Sequence, residues 1–243
     1  MQYGFIFNGS HSNSFGVVAK SKNRQVLPAA NDVYLQIPSR DGSYLIAGEL
    51  SDRIIELECG LDGVTLEDLR IKMRAIAAWL NTGARVQLIF DDEPDKYYLA
   101  KLNGSIDLSQ KFVLGEFSLS FKCEPYAYAL TPKIQTVIDG AITVTNAGTT
   151  PAYPKYTVIF TAAATEYKLT LGSNYVHVIR NFAIGDSLVI DCALNKITVN
   201  NGNTMANLDL GSRFFALPVG GSTVVRLPVG GAQVTVNYKE RWL

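Results

Sequence analysis

Residues 65–102 read "TLEDLRIKMRAIAAWLNTGARVQLIFDDEPDKYYLAKL", and the apolar period changes partway along them. Leu66, Leu69, Met73, Ile76 and Leu80 return every three or four positions, which is the spacing of one face of an α-helix. Thr65 stands at the N-cap position, Glu67 and Asp68 occupy the first turn where the helix dipole favours acids, and Gly83 closes the pattern. From Ala84 the stretch becomes strand-like: "ARVQLIF" (84–90), an acidic turn "DDEPDK" (91–96) and "YYLAKLNG" (97–104). This is the one helix the sequence predicts, and it is embedded in strands.

Working outward, the preceding residues give "YGFIFNG" (3–9), "GVVAKS" (16–21), "DVYLQIP" (32–38), "SYLIAGEL" (43–50) and "RIIELECG" (53–60) as strands. In the last, Ile55, Leu57 and Cys59 alternate with Ile54, Glu56 and Glu58, the period-two pattern of a half-buried strand. On the other side, "FVLGEFSLSFKCEPYAY" (112–128) alternates Phe117, Leu119 and Phe121 with Ser118, Ser120 and Lys122. The alternation fails in "YAYALTPK" (126–133), where a domain boundary is expected, giving domains 1–130 and 131–243. The second half reads as all-β: "AITVTN" (141–146), "KYTVIFT" (155–161), "EYKLTLG" (166–172), "YVHVI" (175–179), "DSLVID" (186–191), "KITVNN" (196–201), "STVVRLP" (222–228) and "AQVTVNY" (232–238). Their short, regular spacing is that of a sandwich or barrel.

With 47% hydrophobic and 18% charged residues the chain can bury real cores. Lysine plus arginine equals aspartate plus glutamate at 22 each, so no bulk attraction to nucleic acid or anionic lipid follows. The balance is uneven along the chain: residues 1–130 carry net −3 and residues 131–243 net +3. Cys59, Cys123 and Cys192 are odd in number and far apart, with no zinc spacing, and are expected as reduced, buried thiols. The opening "MQYGFIFNGSHS" lacks a Sec-type signal, and no apolar run approaches the ~18 residues of a membrane span.

Catalytic chemistry finds little support. Of the two histidines, His177 alternates with valines in "YVHVI", as a solvent-facing strand residue does, and His11 lies in the loop "NGSHSNS" without a neighbouring acid or cysteine. No nucleophile elbow, phosphate loop or dinucleotide fingerprint is present. Asp91, Asp92, Glu93 and Asp95 form the most charged spot, readable as a cation site, a carboxylate pair or a solvated turn; the glycine and terminal glutamate of a calcium loop are missing. No catalytic, cofactor or metal site is expected. In "IPSRDGSYL" (37–45), Arg40, Asp41 and Gly42 form a sharp turn between strands, either purely local or a contact between copies of the chain.

Taken in order, these pieces resemble the distal tail proteins of long-tailed bacteriophages with Gram-positive hosts. "FIFNGSHSNSFGVVAK" is similar to that family's opening strand and loop, "IPSRDGSYL" to its Arg-Asp-Gly turn, and "AIAAWLNTGARVQLIFDDEPDKYYLAKL" to its helix, strand, acid–Pro turn and tyrosine-bearing strand. "LGEFSLSFKCEPYAY" resembles the close of the N-terminal domain; "NAGTTPAYPKYTVIF" with "GDSLVIDCALNKITVNNG" resembles the C-terminal one. The resemblance implies a mainly β fold: an N-terminal, ring-forming β-sandwich with one α-helix, and a C-terminal galectin-like or carbohydrate-module-like β-sandwich. It implies a homohexameric ring at the virion tail tip, assembled in the host bacterial cytoplasm. That ring joins the tail tube protein to tail-tip or receptor-binding baseplate proteins, and DNA only transits its channel. On that reading Arg40, Asp41 and Gly42 are candidate subunit contacts, and Asp91, Asp92, Glu93 and Asp95 a candidate lumen or rim element. The alternative function is a carbohydrate-binding module touching cell-wall glycan through residues 131–243, although the chain lacks a concentrated galectin-type Arg/Asn/Glu/Trp set.

Overall fold

The computed structural model describes residues 4–243, with the backbone alone at Gln110 and Lys111; Met1–Tyr3, including the expected start of the first strand, lie outside the described residues. The chain divides into two compact units at Leu130–Thr131.

The first unit holds β1 (Phe5–Phe7), β2 (Ser10–His11), β3 (Val18–Arg24), β4 (Ala30–Gln36), β5 (Ser43–Leu50), β6 (Arg53–Asp62), α1 (Leu66–Leu80), β7 (Val86–Phe90), β8 (Glu93–Leu102), β9 (Ser109–Lys111) and β10 (Leu114–Ala129). Its main sheet runs β2-β1-β7-β8-β10-β6-β3, with β9 also on β10. β1 and β10 are three places apart in that order, which in a flat sheet means about 14 Å. The rings of Phe7 and Phe121 nevertheless lie 5.1 Å apart, and those of Phe5 and Phe121 6.0 Å. The sheet therefore curls over itself into two layers around one core. Trp79 of α1 completes that core: it stacks on Phe15 at 4.4 Å and on Phe5 at 5.6 Å, and its Nε1–H donates to the Phe7 carbonyl at 2.8 Å.

Thr65 caps α1 by accepting from the Asp68 N–H. The helix ends at Leu80 with an extended Asn81, three residues before the expected stop at Gly83. The acidic turn is also shorter than expected. It spans Asp91–Asp92, and Glu93–Lys96 belong to β8. Pro94 is tolerated there because the β7–β8 register is irregular between Leu88 and Phe90, so its missing N–H breaks no regular ladder.

The second unit is all β: β11 (Lys133–Val137), β12 (Ile142–Asn146), β13 (Lys155–Phe160), β14 (Ala164–Leu171), β15 (Asn174–Phe182), β16 (Ser187–Asp191), β17 (Lys196–Val199), β18 (Gly202–Asn203), β19 (Gly220–Leu227) and β20 (Ala232–Tyr238). One sheet runs β11-β20-β13-β16-β17-β18 and the other β12-β19-β14-β15. Alternate residues of both enter a single core, among them Val144, Tyr156, Val158, Leu169, Val178 and Val234, which makes the unit a sandwich. Arg226 is buried in it and ties two turns down, donating to the carbonyls of Ala232 (2.6 Å) and Ile138. At the chain's end, buried Glu240 accepts from the Ala147 N–H and from Lys133, both at 2.6 Å.

Candidate assembly surfaces

β4 and β5 pair only with each other and form a two-stranded arm. Every residue of the arm except Leu50 is exposed, including Val33, Tyr34, Leu35, Tyr44, Leu45 and Ile46. Three consecutive apolar residues on each strand put apolar side chains on both faces, because successive side chains point to opposite sides. Tyr34 sits opposite Leu45 and Leu35 opposite Tyr44, while Ile46 is the extra residue of a bulge. A lone two-stranded hairpin is marginally stable in water. This one leaves both of its apolar faces uncovered by its own chain.

Arg40, Asp41 and Gly42 lie together at the tip of the arm. Ser39 (φ 64°) and Gly42 (φ 81°) take left-handed backbone, and the Arg40 N–H donates to the Ile37 carbonyl at 3.3 Å. The Arg40 guanidinium packs on the Tyr44 ring at 3.8 Å, a cation–π contact, rather than pairing with Asp41. Asp41 makes no hydrogen bond or ion pair among the described residues and points its charge outward from a fixed turn.

The acids at 91–95 are each matched by a base. Asp91 accepts from the Gly4 N–H at 2.8 Å and faces His11 Nε2 at 3.0 Å. His11 Nδ1 accepts from the Asn13 N–H, so Nε2 carries the proton and donates to Asp91. Asp92 pairs with Lys22 (3.2 Å) and Arg24, Glu93 with Arg24 (3.4 Å) and Lys96 (3.2 Å), and Asp95 with Lys96 (3.1 Å). Partial burial works against the Asp92 anion, but the Lys22 hydrogen bond and the two neighbouring cations outweigh it and hold the carboxyl below its usual value. Three cations, Lys22, Arg24 and Lys96, thus face four carboxylates, with His11 as a hydrogen-bond donor to Asp91. His11, Lys22 and Arg24, which come from β2 and β3, are about 70 to 80 residues away in sequence, out of reach of any local motif.

The remaining reactive groups are structural. Burial pushes the thiols of Cys59, Cys123 and Cys192 up to about 12, leaving them protonated and inert. His177 is half-buried and bonded to Glu166 at 2.7 Å, not free in solvent as its strand position suggests. Lys168 covers the Tyr175 ring at 4.1 Å. Among the described residues no three His, Cys, Asp or Glu side chains converge as metal ligands, and no helix is long and apolar enough to cross a membrane.

Comparison with known proteins gives two family matches in series. Residues 11–123 match the phage tail protein RIFT-related domain, and residues 147–242 the C-terminal domain of siphovirus-type tail components. The chain is 29% identical over 185 residues to the distal tail protein of Bacillus phage SPP1, covering 73% of this chain and 72% of that protein. The crystal structure of the SPP1 protein, described as a paradigm of the hub of the adsorption apparatus in phages infecting Gram-positive hosts, superposes with a TM-score of 0.86 at 19% identity, covering 100% of both chains.

Proposed function

We propose, for a chain that belongs to the distal tail proteins of siphophages with Gram-positive hosts, that its structural hub role is carried out by a closed ring of six copies. The single observation that carries this reading is the arm formed by β4 and β5. Its apolar side chains on both faces need a cover the chain does not supply, and a second copy is the partner always present at equal concentration. A contact between two different patches propagates head to tail and closes when the rotation per step allows. Arg40, Asp41 and Gly42, at the arm's tip, are then subunit contacts.

On this reading the ring joins the tail tube protein to the tail-tip or baseplate proteins, and DNA passes through its centre without being held. A conduit must avoid lysine and arginine contacts that grip phosphate. The net −3 of residues 1–130 is consistent with that, and Asp91, Asp92, Glu93 and Asp95 fit a rim held rigid by its own cations. The role is non-catalytic, the location is the virion tail tip, and assembly takes place in the host cytoplasm.

The test is solution mass by light scattering over a concentration series. Six copies of the 26.5 kDa chain give roughly 159 kDa, with a central hole in negative-stain images. A monomer at every concentration, or a closed dimer, would count against the ring.

A further inference from the structure

The first unit exposes a second apolar patch, remote from the arm. Val64 (86% exposed), Leu66 (52%), Phe112 (90%) and Leu114 (56%) lie together, because the Gly63 N–H donates to the Val113 carbonyl at 2.8 Å and Leu114 sits opposite Asp62. Phe112 is also held at φ 53°, a left-handed conformation that is uncommon for a bulky side chain and costs about 1–2 kcal/mol. A two-residue hairpin turn is ordinarily built from Asn, Asp or Gly at such a position. Here, between β9 and β10, the sequence spends that position on a solvent-facing aromatic.

The two patches sit at opposite ends of one strand. The arm's second strand ends at Leu50, just before β6 begins at Arg53; the patch lies beyond the other end of β6, at Asp62. A strand of that length spans about 30 Å. Both patches are exposed in the single chain, so neither covers the other. We infer that the arm of one copy docks on the Val64, Leu66, Phe112 and Leu114 patch of the next, and that this pair is the repeating contact of the ring. The inference rests on the ring reading above and adds which two surfaces make the joint.

One joint covers one face of the arm, such as Val33, Leu35 and Tyr44, together with the four side chains of the patch. At roughly 60 Å² for each of these partly exposed side chains that is about 400 Å² of apolar surface. Interfaces are about 57% apolar, which scales this to roughly 700 Å² per joint, the size of a weak contact for an isolated pair. In a closed ring every copy makes two such joints, and the closing one forms within the assembly at high effective concentration. A joint with the arm at one end of a subunit and its receiving patch at the other is heterologous, the geometry that yields rings rather than twofold dimers.

The test uses the full chain and two single variants of exposed side chains, Leu35→Asp on the arm and Phe112→Asp on the patch, with Leu66→Asp as a second patch variant. Thermal melts identify those that fold as the wild type does. Each variant alone is expected to raise the concentration at which rings form by tenfold or more. An equimolar mixture of an arm variant and a patch variant retains one good joint per pair, so mixed dimers of roughly 53 kDa and no rings are expected. If the wild type forms rings and the Phe112 and Leu66 variants do so at the same concentration, the inference fails while the ring stands. A mixture that stays monomeric overturns it as well. A wild type that never assembles overturns the ring reading and this joint together.

Discussion

Trp79, with Leu69, Ile76 and Leu80, is one of the buried side chains of the helix and the one that stacks between aromatic rings, and truncating it tests how much that contact holds the first unit together. It is 8% exposed, lies between the rings of Phe15 and Phe5, and donates to the Phe7 carbonyl. Trp79→Ala empties a large buried site and should cost about 3–5 kcal/mol. Trp79→Phe keeps the stacking but leaves the Phe7 carbonyl without this donor, for a loss of about 1–3 kcal/mol. A unit of about 130 residues has an unfolding entropy near 0.27 kcal/mol/K, so each kcal/mol moves its midpoint by about 4 °C. Differential scanning calorimetry should therefore show a fall of roughly 11–18 °C for the alanine variant and about 4–11 °C for the phenylalanine variant. The transition of residues 131–242 should stay in place. A loss below about 1 kcal/mol for Trp79→Ala, or equal losses for both variants, would refute the reasoning.

Three further outcomes follow from the second unit and the thiols. Arg226→Met removes two charge-assisted hydrogen bonds from buried carbonyls and should lower the second unit's stability by about 2–3 kcal/mol in urea melts; an unchanged midpoint would show that shedding a buried charge compensates fully. The Asn200 side chain, and then the Ala183 N–H, hold the Asp186 carboxyl below its ordinary value, so its contribution is present above about pH 4 and is lost as pH falls through the lowered value. Asp186→Asn should thus be less stable than wild type at pH 7, with the difference narrowing below pH 4; a difference constant with pH contradicts the assignment. A thiol reagent should modify none of Cys59, Cys123 and Cys192 in the native protein at pH 8 and all three after unfolding, whereas rapid native labelling would place a thiol at the surface.

Local periodicity made most of the fold legible. The alternation through Ile55, Leu57 and Cys59 predicts β6, and Thr65 with its following acids marks the start of α1 where the structure has it. The helix stripe was readable only in part, since Leu66 is exposed and the buried anchor next to Leu80 is Trp79. β9, "SQK", is three residues long, too short to show a period, and β11, "KIQTV", is almost wholly exposed and lacks the alternation of a half-buried strand. The strands of the arm were legible but their exposure was not: "DVYLQIP" and "SYLIAGEL" carry the apolar runs of ordinary strands, and the chain leaves every residue of the pair except Leu50 exposed. Of the partners of the 91–95 acids, Lys96 is adjacent in sequence, whereas His11, Lys22 and Arg24 were hidden, being supplied by β2 and β3 through the tertiary fold.

The measurement that tests the central claim most directly is gold labelling of intact tails with an antibody raised against the exposed 193–196 turn. The account predicts label confined to the distal end of the tail tube, where tube and tip meet, with a six-fold ring in averaged images of that region. Label spread along the tube or at the head, or tails of normal length and tip structure assembled without this chain, would contradict it.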